Sequence, residues 1–240
     1  MTITFDSIRC SNTASKARMV PVVEGVKRPY RSAVRELRSA QTRAAVRTAA
    51  ARLFVERGYA ATSMRGVAEE AGVGERTVYA AFPGKAELYA ECLGVATAGD
   101  EREEPVPGRP EVAEALGLPD PGAALAAVVV LGTDLLERAG DLIHVGLEAA
   151  AADPAVRDLM DQGERATHGL WRRFCERLAD RGELRAGLAA DDAADAAFAL
   201  ASPHVHHLLR RGRGWTAEHY RAWLYEATAC QLFDSGCPEP

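Results

Sequence analysis

Arg76, Thr77, Tyr79 and Lys85 stand close together in the stretch GVGERTVYAAFPGK, residues 72–85. A guanidinium, two hydroxyls and an ammonium at that spacing suit an extended polyanion. Hydroxyls and ammonium groups meet phosphate oxygens, and an arginine reads a guanine edge. The stretch holds too few apolar positions for a core helix and no acid/base pair for an active site. Elsewhere the chain has no GxSxG, no Walker glycine loop and no nucleophile with an evident base, and GVGERT lacks the third glycine and preceding strand of a dinucleotide fingerprint. HVHH at 204–207 puts His204 and His207 on one helix face, but without the Cys or carboxylate partners that zinc demands. The expectation is a protein that is not an enzyme and holds no metal and no cofactor.

Such groups act together only if neighbouring elements hold them on one surface. From about Ser39, the residues Val46, Ala49, Ala50, Leu53 and Phe54 recur at three- and four-residue spacing, which predicts a helix over 39–57. Gly58 ends it by taking the left-handed position past a helix C-terminus. In ATSMRGVAEEAG, Thr62 or Ser63 caps a second helix whose Val67, Ala68 and Ala71 face inward, and Gly72 closes it. A third helix starts after only Val73 and Gly74. Two short helices joined by a glycine-containing turn and covered by a third form a helix-turn-helix. At ~100° per residue, Val78 and Phe82 of the third helix share the buried direction, so Arg76 and Ala80 point away, with Thr77 and Tyr79 on the flanks. That face suits a DNA major groove: Arg76 for a guanine edge, Ala80 for close approach or a thymine methyl, and Thr77, Tyr79 and Lys85 for phosphates.

Charge divides along the chain. Residues 1–90 hold 15 Lys and Arg against 8 Asp and Glu, whereas residues 91–240 hold 14 against 26. A basic first third on an acidic body is the distribution of a protein that meets a polyanion with one end; charge alone leaves nucleic acid and a membrane surface both open. Residues 1–38 read as a flexible basic arm, with Lys16, Arg18, Lys27, Arg28, Arg31, Arg35 and Arg38 against Asp6, Glu24 and Glu36. Its segment KRPYRSAVRELR either lies in a minor groove or contributes charge alone. No apolar stretch approaches the ~18 residues of a membrane span, so no membrane partner is expected. Residues 1–20 lack the apolar region of a secretory signal. Cys10, Cys92, Cys175, Cys230 and Cys237 are scattered without CxxC spacing, which suits a reduced, cytoplasmic compartment. Val and Ile never alternate over a strand length, so the chain is expected to be all-α.

Residues 43–92 resemble the DNA-binding domain of the TetR family of transcriptional regulators. The likeness lies in the LF..RGY..TS junction, VAEEAGV, TVY and F.GK.EL, in that order. It implies a homodimeric repressor on a palindromic double-stranded DNA operator, with a helical C-terminal domain that senses a small molecule. By position it implies that Arg65 reaches a base or phosphate from the second helix, that Thr77 and Tyr79 contact the DNA backbone, and that Lys85 binds a phosphate at the start of a fourth helix. Thr62 and Ser63 complete the candidate interface. Gly74 stands where the family often has a serine cap, so the recognition helix begins with a weaker cap. Ala80 and Ala81 replace bulkier residues, which shifts readout toward Arg65, Arg76 and the arm. Glu75 either accepts from a cytosine amino group or offsets the helix dipole, and the dipole reading is favoured.

After the arm at 1–38 and the helix-turn-helix domain at 39–92, residues 93–240 read as a helical ligand-binding and dimerisation domain. Residues 99–122 contain five prolines and form a connector with one turn at 111–116. Helices are expected at 121–138, at 141–152, from Pro154 to about Arg181, from Asp191 to a break at Pro203, and after a Thr216 cap. The last two suit a dimer interface. A sensing pocket among residues 121–200 takes His144, Trp171, Phe174 and Phe198 as candidates for an unknown small-molecule effector. The function expected is a ligand-released dimeric repressor. An activator, a regulator controlled by a protein partner, and a small-molecule carrier or enzyme with a vestigial helix-turn-helix are the alternatives.

Overall fold

The computed structural model describes residues 30–100 and 106–234, and every described element is helical. Most of the expected arm, residues 1–29, lies outside the described residues. The first helix, α1, spans Tyr30–Ala61 and starts well before the expected Ser39. Charge density does not bar a helix here: Arg, Ala, Leu and Glu are all strong helix formers, and YRSAVRELR runs straight into the apolar stripe. Val46, Ala50, Leu53 and Phe54 of that stripe are buried. At Gly58 the backbone turns to φ 79° and ψ 165°, a region glycine enters without steric cost, and α1 kinks there.

The next helices, α2 (Met64–Glu70) and α3 (Glu75–Ala81), have seven residues each. Helices that short are not stable alone; Val67, Ala68, Val78 and Phe82 hold them in the core they share with α1. α4 (Lys85–Ala98) buries Leu88, Tyr89, Cys92 and Leu93. A 3-10 turn at Val106–Gly108 and α5 (Pro110–Gly117) then lead to α6.

α6 is one unbroken helix, Pro121–Ala149, where two were expected to meet near Gly140. A glycine inside a helix costs ~1 kcal/mol against alanine, but a Cβ on Gly140 would stand 3.1 Å from the His206 ring. The glycine makes room for a neighbour and does not end the helix. α7 (Pro154–Asp180) opens as expected, with Asp153 accepting from the amides of Ala155 and Val156. α8 (Ala190–Leu200) stops before α9 (Pro203–His207), which Ser202 caps. A π-helical turn at Leu208–Gly212 follows, and then α10 (Ala217–Leu232), where Thr216 accepts from the His219 amide.

Two hydrophobic clusters result. The first joins α1–α4 to the second half of α6 and the start of α7, around Phe54, Tyr59, Tyr89, Leu142 and Met160. The second joins the first half of α6 to the later turns of α7, α8 and α10, around Leu125, Trp171, Phe174, Tyr220 and Leu224. α6 runs through both.

Candidate nucleic-acid interface

Gly74 precedes α3 in extended conformation and offers no side-chain cap. The helix start relies instead on the Gly74 carbonyl, which accepts from the amides of Thr77 at 2.8 Å and Val78 at 3.3 Å. Glu75 adds a favourable charge in the first turn. Val78 and Phe82 are buried, while Arg76, Thr77, Tyr79 and Ala80 are exposed, the ridge that the spacing predicts. Tyr79 is 48% exposed although it is a large aromatic.

Arg43, on α1, fixes the far end of that ridge. Its Nη1 donates to the Ala81 carbonyl at 2.7 Å, its guanidinium lies 4.3 Å from the Phe82 ring centroid, and its Nε donates to Glu91 Oε1 on α4 at 2.8 Å. The bond from Arg43 holds the Glu91 carboxyl below its ordinary pKa. Sequence reasoning missed Arg43, because its partners lie too far along the chain for any local pattern to pair them.

Around this ridge the other candidates divide. Ser63 is exposed and caps α2, its Oγ accepting from the Gly66 amide at 3.1 Å; its hydroxyl proton is left to donate. Thr62 does not belong to the interface. It is 3% exposed, and its hydroxyl lies 2.8 Å from the Gly58 carbonyl and 3.1 Å from that of Leu53. It satisfies backbone at the α1 kink. Arg65 is exposed and donates to Glu69 Oε1 at 2.9 Å; exposed pairs of this kind are worth little, so a phosphate can displace the carboxylate. Lys85 is half-buried, with Nζ donating to the Tyr59 carbonyl at 2.9 Å and lying 4.3 Å from the Tyr59 ring centroid. An ammonium has three donors, so Lys85 anchors the kink and keeps hydrogens for another acceptor.

The module itself is only mildly basic. Residues 39–90 hold seven Lys and Arg against five Asp and Glu; residues 1–38 hold eight against three. Arg43 and Arg47 both engage Glu91, and Arg52 engages Glu56 and Glu70. Among the described residues Arg76 makes no ion pair, so its guanidinium is not engaged by a carboxylate.

Two tyrosines tie this module to the body. Tyr59 Oη donates to Asp153 Oδ2 at 2.7 Å, reaching the residue that caps α7. Tyr89 Oη donates to the Leu142 carbonyl of α6 at 2.7 Å. Burial pushes both phenols well above the usual tyrosine range, and the bond from Tyr59 holds the Asp153 carboxyl down. The rings pack edge to face, with centroids 5.5 Å apart. Gly146 makes this fit possible: a Cβ there would collide with the Tyr89 hydroxyl and stand 2.7 Å from Met160 Sδ.

The four candidate effector contacts do not converge. Trp171 and Phe174 are buried and pack edge to face at 6.0 Å in the second cluster, and Phe198 packs against it beside His168. His144 lies elsewhere, stacked on His207 at 3.7 Å. Trp171 and Phe174 therefore occupy core, while Phe198 and His144 are half-buried in separate places. In the HVHH stretch, His206 is buried with Nε2 3.0 Å from Glu137 Oε1, and burial pulls its pKa down. Arg210, the stronger partner, and His206 together hold Glu137 at about 2. No group of three His, Cys, Asp or Glu among the described residues is placed to hold a metal. None of their helices is long and apolar enough to cross a membrane.

Residues 46–92 match the family model described as bacterial regulatory proteins, tetR family. No curated protein matches the chain. Among solved structures, it is similar to NalD of Pseudomonas aeruginosa, described as the secondary repressor of the MexAB-OprM multidrug efflux pump, at 24% identity and TM-score 0.63, covering 82% of this chain and 98% of that one. A SmeT–triclosan complex is similar at 21% identity and TM-score 0.65, covering 83% and 98%. So is a putative transcriptional regulator from Saccharomonospora viridis in complex with choline, at 21% and 0.65, covering 81% and 99%. At these identities the likeness establishes the fold.

Proposed function

The chain is a TetR-family regulator by its N-terminal domain, and from that premise we propose that it is a homodimeric repressor released from a palindromic operator by a small-molecule ligand. The observation that carries this reading is the solvent-facing ridge of Arg76 and Ala80 on α3. Arg76 reads a base edge, Ala80 lets the helix approach, and Thr77, Tyr79, Ser63 and Lys85 position it on phosphates. Arg65 adds a contact from α2. One such unit binds weakly, and a twofold dimer places two ridges on half-sites about 34 Å apart. α8 and α10 are the elements for that dimer: they pack on each other, and Ala199, Ala222 and Cys230 are exposed along them. The repressor role of NalD, the SmeT complex with triclosan and the Saccharomonospora viridis regulator's complex with choline support a repressor with a small-molecule effector here. The protein then works in the cytoplasm, beside the DNA it binds.

A ligand shifts the DNA-binding state only through different affinities for the two conformations. In this reading, residues 93–240 sense the ligand and residues 39–92 bind DNA. The Tyr59–Asp153 and Tyr89–Leu142 bonds carry a displacement of α6 or α7 to α1–α4. Duplexes selected from random DNA, followed by fluorescence anisotropy across salt concentrations, test the proposal. Affinity should fall steeply as salt rises; a flat salt response, or no duplex retained, overturns it.

A further inference from the structure

α1, α4 and α6 leave an open cleft of about 680 Å³ between them. Three of its lining residues, Ala44 and Ala51 on α1 and Ala96 on α4, carry only a methyl group and leave room in it. Packed helices ordinarily fill such space by interdigitating ridges and grooves. Val95 and Leu142 contribute apolar surface, and Val55, 44% exposed, stands beside them. The charges around the cleft are nearly all matched. Arg47 engages Glu91, Arg52 engages Glu56, and Asp141 accepts from Arg211 at 2.9 Å. Arg138 is the exception: among the described residues it makes no ion pair, and its Nη2 donates to the Thr97 carbonyl at 3.3 Å.

The geometry points to this cleft as a binding site for an amphipathic monoanion, a carboxylate or sulfonate carried on an apolar ring-containing body. The volume lies in the range of small-molecule sites. Arg138 supplies a charge-assisted hydrogen bond to the anionic head, and the apolar body covers the alanine, valine and leucine surface. The inference deepens the effector reading and rests on it only for its consequence at DNA. One face of α1 lines the cleft while Val46, Ala50, Leu53 and Phe54 on the same helix hold the recognition module. An occupant touching both α1 and α6 therefore fixes that module against the body.

The test uses the full chain with two fluorescent probes, 8-anilinonaphthalene-1-sulfonate and its neutral parent N-phenyl-1-naphthylamine. The sulfonate should bind about tenfold tighter than the neutral probe, as one charge-assisted contact allows. Arg138→Gln should erase that advantage, and Ala96→Trp should exclude both probes. Equal affinities for the two probes, no effect of Arg138→Gln, or undiminished binding to a folded Ala96→Trp protein each overturn the site. Arg138 is exposed, so its variant decides the matter even if Ala96→Trp does not fold. The same proteins are assayed on duplex DNA without probe. Failure of every one to bind DNA sinks the regulator reading and leaves the probe result standing.

Discussion

The recognition module and the body solve the same packing problem with different means. Helices α6 and α7 are 29 and 27 residues long, and each buries a broad apolar stripe along its length. Helices α2 and α3 have seven residues each and own almost no core of their own. Their positions are set from outside, by Phe82 in the α1 core, by Arg43 on the Ala81 carbonyl, and by Lys85 and Thr62 at the kink. A surface that must meet another molecule has little interior to spare, so it borrows order from long-range pins. The body has interior in abundance, and its interhelix bonds, such as those from Arg210 to Glu137, Arg211 to Asp141 and Arg221 to Asp134, are added to a core that already fixes its helices.

That contrast breaks most visibly at Phe82. Phe82→Ala should cost about 3–5 kcal/mol in urea unfolding and abolish DNA affinity. Phe174→Ala should cost a similar amount, yet leave DNA binding intact at temperatures where the variant is folded; equal loss of DNA binding from both would erase the distinction. At the ridge itself, Arg76→Ala should lose about 1–3 kcal/mol of discrimination at one base pair, whereas Lys85→Ala weakens all duplexes alike and lowers the salt slope by about one. A change of base preference in Lys85→Ala would reverse that sorting. The tie between the two regions is smaller: Tyr59→Phe removes one hydrogen bond, expected at about 1 kcal/mol in the same unfolding measurement.

A separate effect, confined to low pH, is set by acid. Folding depresses the pKa values of Asp153 and Glu137, so their contributions are complete above the ordinary carboxylate range and are lost as pH falls through the folded values. For Glu137 the window runs from 4.5 down to about 2. Melting temperatures across that window should fall less steeply in Glu137→Gln than in the wild type, and an unchanged slope would remove Glu137 from the account.

Local rules carried most of the first region. Gly58, the Ser63 cap, and the opposition of Val78 and Phe82 to Arg76 and Ala80 all follow from spacings of a few residues. Pro154 and the Thr216 cap were legible in the body for the same reason. What escaped was decided by distant partners. The expected gap between 138 and 141 closes because Gly140 makes room for the His206 ring, and Thr62, read as a candidate cap and interface residue, is claimed by the α1 carbonyls at the kink. Arg43 with Glu91, and Tyr59 with Asp153, join positions that no periodicity relates. Trp171 and Phe174 show the converse limit, since an aromatic in an apolar stripe announces burial and says nothing of a cavity.

The missing side chain at Gly146 has a consequence beyond this one chain. The space it vacates is already taken by the hydroxyl of Tyr89 and the sulfur of Met160, so these three positions cannot drift independently through descent. A related sequence bearing alanine or larger at 146 should carry phenylalanine or a smaller residue at 89 together with a trimmed side chain at 160, and lineages that break this rule must have moved α4 and α7 away from α6.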